Sequence, residues 1–169
     1  MTHAERISQT VAAFEAAMDR FLGRLESLSD AEAERPGAEG GWSPAQIAWH
    51  VAATNEGFAG LVDGSRPLAR APEPDFVETP FPEIQARVPD RLEAPEMFTP
   101  PANVSRVDAL SRARESRSRF ATAYRGLDET RAHLTIKSIL GLLTVYQVGD
   151  WAVAHVARHN AQVKRAIGQ

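Results

Sequence analysis

Nine of the eleven prolines in this 169-residue chain lie between Gly64 and Asn103. Proline removes a backbone donor and biases the residue before it away from helix. The stretch 64–103 shows no sustained apolar period either, and allows at most one short turn near Ile84–Val88. On both sides of it, apolar residues recur in steps of three and four, the period of a helix with one buried face. The chain therefore reads as two pairs of amphipathic helices joined by a long irregular connection. Such a loop is unusual inside a compact domain and often functional. The alternative is a crossover that only links two distant corners of the fold.

The first helix is expected over about 4–28, with Ile7, Val11, Phe14, Met18, Phe21, Leu22, Leu25 and Leu28 on one face. Pro36 and three glycines then break the pattern. The second is expected over 44–63. Ser43 is a good N-cap, Pro44 suits the first helical position, and Gln46 completes a capping box. The third spans about 105–125, with the stripe Val107, Leu110, Ala113, Arg117, Phe120, Tyr124 and Leu127. The fourth spans about 144–167, opened by the box Thr144/Gln147, with Val145, Val148, Ala152, His155/Val156, His159 and Val163 inward. Between the last two, HLTIKSILGLL reads as an extended piece or a short buried turn. Four helices of this length make an all-α four-helix bundle. A connection of some forty residues can run the length of that bundle, so the second and third helices can lie parallel.

The length fits one domain, taken as 1–169. Without cysteine there is no disulfide framework, no thiolate zinc site and no cysteine nucleophile. Nineteen basic against twenty-two acidic residues argue against a dedicated nucleic-acid binder. The amino terminus lacks the basic start and continuous apolar run of a secretory signal, and no window is apolar enough to span a bilayer. A cytoplasmic protein with no membrane and no nucleic-acid partner is the expectation.

Three of the five histidines fall on buried stripes. His155 and His159 are one helical turn apart, stacked on one face and able to reach one ion. His50 lies on the second helix between Ile47 and Thr54. Each alone reads equally as a hydrogen-bonded core histidine, but three unpaired rings in one core need partners, and a shared cation supplies them. Three imidazoles leave a position open for water or substrate. His3 and His133 read as surface residues. Asp150 is read as orienting a ligand ring or as a solvated charge in the first turn of the fourth helix. Gln162, three residues past His159, has a site role or a core-edge one. Arg117 is read as clamping a carboxylate or phosphate of a substrate, or as snorkelling to solvent or pairing with a glutamate.

Two stretches, GWSPAQIAWHVA and LGLLTVYQVGDWAVAHVARHNAQV, together resemble the DinB/YfiT-like superfamily of small metal-binding four-helix proteins. The layout of nearly the whole chain resembles it too. The resemblance implies an up-down-down-up bundle holding one divalent ion, with His50 matching the family's helix-two ligand and His155 and His159 its helix-four pair. Many relatives are dimers. Characterised relatives include thiol S-transferases using bacillithiol or mycothiol and a mycothiol-dependent maleylpyruvate isomerase.

The expected function is thus that of a metal-dependent enzyme acting on a small molecule. It would carry zinc or nickel at a three-histidine site, with a low-molecular-weight thiol as co-substrate. A metal-dependent hydrolase is the alternative, as is a non-catalytic metal- or ligand-binding stress-response protein. In the last case Glu73, Asp75, Glu78 or Glu83 from the long connection could close the site. A homodimer is expected, with Trp42, Trp49, Phe76, Phe81 and Phe98 available for its contact or for packing.

Overall fold

Side-chain caps set where the helices begin. Thr2, Ser29, Ser43 and Thr144 each accept from the backbone N–H three residues on, and Glu5, Glu32, Gln46 and Gln147 reciprocate. Each box satisfies two donors that a helix N-terminus otherwise leaves without partners. The computed structural model describes residues 1–37, 41–88 and 94–168. Its elements are α1 (His3–Glu26), α2 (Asp30–Glu34), α3 (Pro44–Asp63), α4 (Phe81–Arg87), a 3-10 turn (Glu96–Phe98), α5 (Arg106–Arg125), α6 (Glu129–Ala132), β1 (Thr135–Ser138), β2 (Gly141–Thr144) and α7 (Val145–Ala166).

The structure is mostly helical, as expected. The expected second helix, 44–63, coincides with α3. The first stops at Glu26, and residues 30–34 form a separate capped turn. HLTIKSILGLL takes the extended alternative: β1 and β2 pair antiparallel with Thr135 opposite Thr144 and Ser138 opposite Gly141. The small hairpin, with Arg70 bridged to Thr135 at its edge, departs from all-α.

The core lies between α1, α3, α5 and α7, where Phe14, Met18, Phe21, Ile47, Val51, Phe120 and Tyr124 are buried. Polar pairs mark how these helices line up. On α1, Thr10 meets Gly149 of α7, and Arg24 meets Asn160. Arg114 pairs with Glu26 near the end of α1, and Arg125 with Glu15 nearer its start. Between α3 and α5, Glu56 pairs with Arg112 and Asp63 with Arg119. Between α3 and α7, His50 meets His155, and Phe58 meets Trp151. The C-terminus of α3 is closed by Gly64 at φ 86°, where Arg131 donates to the carbonyls of Leu61 and Val62. Those carbonyls have no helical partners of their own.

The connection 64–103 is more ordered than its composition suggests, although its residues 89–93 lie outside the described ones. It holds α4 and the 3-10 turn. Arg70 exchanges backbone hydrogen bonds with Thr135, Thr144 donates to Glu78, and Gln147 donates to the Thr79 carbonyl. Proline limits helix here, but not anchoring through carbonyls and side chains.

The α5 stripe is partly mis-phased in the expectation. Val107 is 64% exposed, and Ala109, Ser116, Ala121 and Ala123 are buried instead. Of the aromatic residues considered for a dimer contact, Trp42, Trp49, Phe76 and Phe98 are half-buried and Phe81 is exposed. No helix among the described residues is long and apolar enough to cross a membrane.

Candidate metal centre

The three histidines predicted from α3 and α7 are brought together and buried. His155 and His159 stack one turn apart on α7, with ring centroids 4.3 Å apart. His50 reaches across from α3. The Nε2 atoms of His50 and His159 lie 3.2 and 3.1 Å from that of His155. One candidate ligand atom from each ring lies within 4.8 Å of the others.

Hydrogen bonds on the far side of two rings determine which nitrogen faces this point. His50 Nδ1 lies 2.8 Å from the Phe98 carbonyl, which can only accept, so Nδ1 carries the proton. His159 Nδ1 likewise donates to Gln162 Oε1 at 2.7 Å. Arg158 Nη1, which can only donate, lies 3.1 Å from His159 Nε2. His50 and His159 therefore both carry their lone pair on Nε2, and that of His159 accepts from Arg158. The buried Nδ1 of His155 has no hydrogen-bond partner among the described residues.

Burial pushes the pKa of His50 down, and the nearby Arg158 charge adds to this against the Phe98 hydrogen bond. Burial also pushes His155 and His159 well down; His159, His50 and Arg158 lower His155 further, and His50 and Arg158 lower His159 against its hydrogen bond to Gln162. All three rings are therefore neutral at pH 7, the form that ligates metal.

The donor set fits a divalent cation. Neutral imidazoles suit zinc, nickel, copper or iron. Metal–nitrogen bonds of ~2.0–2.1 Å set ligand nitrogens ~3.3 Å apart at tetrahedral angles and ~2.9 Å apart at right angles. The two separations to His155 Nε2, 3.2 and 3.1 Å, lie between these values, and the three candidate atoms all lie within 4.8 Å of one another. A shared cation would also satisfy lone pairs that otherwise converge in a buried site.

No fourth protein ligand joins the three among the described residues. The carboxylates of the connection are elsewhere. Glu78 is engaged by Arg6 and Thr144, Glu83 pairs with Arg87, and Glu73 and Asp75 are exposed. The histidines instead open onto a cleft of about 1070 Å³. Its walls come from α3, α7, the hairpin and both ends of the connection, so the connection does more than link two corners. Phe58, Trp151, Phe98 and Ile136 are among its apolar lining residues. Arg66, Lys137 and Arg158 supply charge, and no aspartate or glutamate lines the cleft among the described residues.

The remaining candidates divide. Gln162 is at the site, holding His159. Arg117 is not: it lies against Glu15 and Asp19 of α1, because its position on α5 faces that neighbour. Asp150 is also elsewhere. It is the sixth residue of α7, beyond the first turn, half-buried near Arg6 rather than solvated, and it does not line the cleft. Burial raises its pKa to about 6, Arg6 opposing and Glu78 reinforcing the rise. His3 is half-buried rather than a free surface residue, its Nδ1 hydrogen-bonded to the Tyr146 hydroxyl. His133 is exposed, edge-on to Tyr146. Sequence reasoning missed Arg66, Lys137, Arg158 and the Phe98 carbonyl. Only Arg158, three residues past His155 and next to His159, carried a local signal.

No curated protein and no solved structure matches the chain. The family model of the DinB superfamily matches residues 13–163, a span that takes in all three histidines. With that match running from α1 into α7, and with the histidines gathered at one point, the chain belongs to the DinB superfamily.

Proposed function

We propose that this protein is a metal-dependent enzyme in which His50, His155 and His159 hold one divalent ion, zinc or nickel, and a low-molecular-weight thiol is the co-substrate. The observation that carries this reading is the convergence of three neutral imidazoles at the floor of an open cleft, with no fourth protein ligand among the described residues. A structural zinc site is usually closed by four protein ligands, whereas an open position is the mark of a catalytic one.

A divalent ion held there would lower the pKa of a bound thiol or water towards neutrality. The chain's own residues do the rest. The Phe98 carbonyl and Gln162 fix two rings with Nε2 forward. Phe58 and Trp151, with ring centroids 4.7 Å apart, form an apolar wall that limits water. Thiol transfer is the reaction favoured for this cleft, with hydrolysis the alternative. Attack by water ordinarily enlists a general base, whereas a thiolate needs only to be formed and positioned.

The same reading takes the chain as one domain with the family's up-down-down-up bundle and the connection as its crossover. The helix pairings through Thr10–Gly149, Glu56–Arg112 and His50–His155 support that order. It also takes the protein as a cytoplasmic homodimer acting on a small molecule.

Elemental mass spectrometry on untagged protein, wild type beside His155→Ala, tests the site. About one ion per chain, lost in a folded variant, is expected. No ion and no retention of added zinc or nickel would sink the metalloenzyme reading. Transfer of a thiol to an electrophile, dependent on both thiol and metal, separates the transferase from the hydrolase.

A further inference from the structure

We propose that the cleft above the histidines takes an amphipathic organic acid, with its carboxylate held by Arg66 and its apolar body lying between Arg66 and the three imidazoles. This names a substrate class for the site proposed above. It rests on that reading for the reaction, but not for the binding.

Two glycines of α3 set the course of the Arg66 side chain. Arg66 follows the left-handed turn at Gly64, and its backbone N–H donates to the Gly60 carbonyl at 2.8 Å. Its side chain then folds back along α3. A Cβ at Gly60 would lie 2.9 Å from Arg66 Cγ, and one at Gly57 would lie 3.0 Å from its Nη1. A Cβ at Gly60 would force the stem of Arg66 to shift, and one at Gly57 would crowd its guanidinium and the Phe98 ring. The glycine pair thus leaves a bare strip of backbone on which the stem lies, presenting the guanidinium in the cleft wall beside the Phe98 ring.

This guanidinium has no hydrogen-bond or ion-pair partner among the described residues, although Arg66 is half-buried. Eight other arginines, from Arg6 to Arg125, find a carboxylate in a chain where acids outnumber bases. Among the described residues no aspartate or glutamate lines the cleft, and Lys137 and Arg158 are basic residues in its lining. An apolar pocket whose charged described lining is basic throughout is complementary to an anionic ligand.

Helix geometry gives the ligand a length. Gly57 is seven residues past His50, so the two positions share a face of α3 and stand about 10 Å apart along it. The surface nearby is aromatic: Phe58 packs against Trp151 and presents edge-on to His155, with ring centroids 6.0 Å apart. A ligand that reaches both ends therefore carries its charge on a spacer of several carbon atoms, saturated or aromatic. A single guanidinium fork in an apolar wall matches the two oxygens of a carboxylate. A phosphate would call for a cradle of backbone N–H groups, as at phosphate-binding loops.

The test is a displacement titration of the neutral fluorophore N-phenyl-1-naphthylamine from full-length protein, first metal-free after chelation and dialysis, then zinc-loaded. The competitors are 4-phenylbutyrate, 4-phenylbutanol and 3-phenylpropyl phosphate. A charge-assisted pair in a sheltered site predicts that the acid displaces the probe at about tenfold or more lower concentration than the alcohol. In Arg66→Met, which keeps the stem over the glycines, that ratio should fall towards one with the alcohol unaffected. Lys137→Met should keep most of it. Equal binding of acid and alcohol to wild type, no binding of either, an undiminished ratio in Arg66→Met, or tighter binding of the phosphate would each overturn the proposal. Because the acid preference is read in metal-free protein and metal content is measured separately, loss of one reading leaves the other standing.

Discussion

His159 donates from Nδ1 to Oε1 of Gln162, one turn further along α7, at 2.7 Å. The bond holds the ring with Nε2 turned towards His50 and His155. Partners of this kind fix the tautomer of a ligating imidazole and raise its basicity. Gln162→Leu should therefore weaken zinc binding about 10- to 100-fold. Competition against a chelating dye measures this. An unchanged melting temperature of the metal-free variant would show that the fold is not the cause.

Metal removal should cost stability, because three convergent imidazoles bind an ion only when folded. At a free zinc concentration a hundred times Kd, the linkage is about 2.7 kcal/mol. For a chain of this size that corresponds to a rise in Tm of roughly 5–10 °C. Thermal scans with and without zinc should show it in wild type and lose it in His155→Ala. Equal shifts in both proteins would mean that the ion binds elsewhere.

Gly149 sits inside α7 where α1 and α5 press closest. A Cβ there would lie 2.4 Å from Thr10 Cγ2 and 2.6 Å from the Tyr124 ring. Tyr124 cannot readily give way, since it is fully buried and its hydroxyl donates to the Tyr146 carbonyl at 2.8 Å. Gly149→Ala should destabilise by about 1–3 kcal/mol despite its better helix propensity. Gly23, on the exposed face of α1 with nothing within 4 Å, offers the contrast. Gly23→Ala should stabilise by roughly 0.5–1 kcal/mol. Urea titration of the pair gives both signs.

Asp150 predicts a pH dependence. Burial holds its folded pKa at about 6, above the ordinary 3.8. The folded state therefore binds this proton more tightly than the unfolded one. The resulting stabilisation is complete below about pH 4 and is lost as pH rises through 6. Above that, the ionised carboxylate is a burden beside Glu78 that Arg6, 3.9 Å away, relieves only in part. Asp150→Asn should be more stable than wild type at pH 7.5, by roughly 1–2 kcal/mol after allowing for partial exposure. The difference should vanish near pH 4. A variant less stable at pH 7.5 would show that the Arg6 pair outweighs the burial.

Features set by short-range chemistry are legible in the sequence. A capping box is a contact between residues three apart, so Ser43/Gln46 and Thr144/Gln147 placed α3 and α7 before any packing was known. Residues four apart on a helix must stack, so His155 and His159 were a pair from their spacing alone. His50 entered through its place on an apolar stripe, which says inward but not towards what. The facing of α5, by contrast, was settled only by packing. Its apolar pattern is weak, and contact with α1 carried Arg117 to Glu15 and Asp19 while leaving Val107 in solvent. Asp150 went to Arg6 for the same reason. The carbonyl that orients His50 belongs to Phe98, forty-eight residues away across a proline-rich stretch with no period to read. Arg66 reached the cleft wall because two glycines on α3 left room for it. Helix starts and same-face pairs follow from bonds a few residues long, but the orientation of a helix surface and the lining of a cleft depend on which distant neighbours arrive.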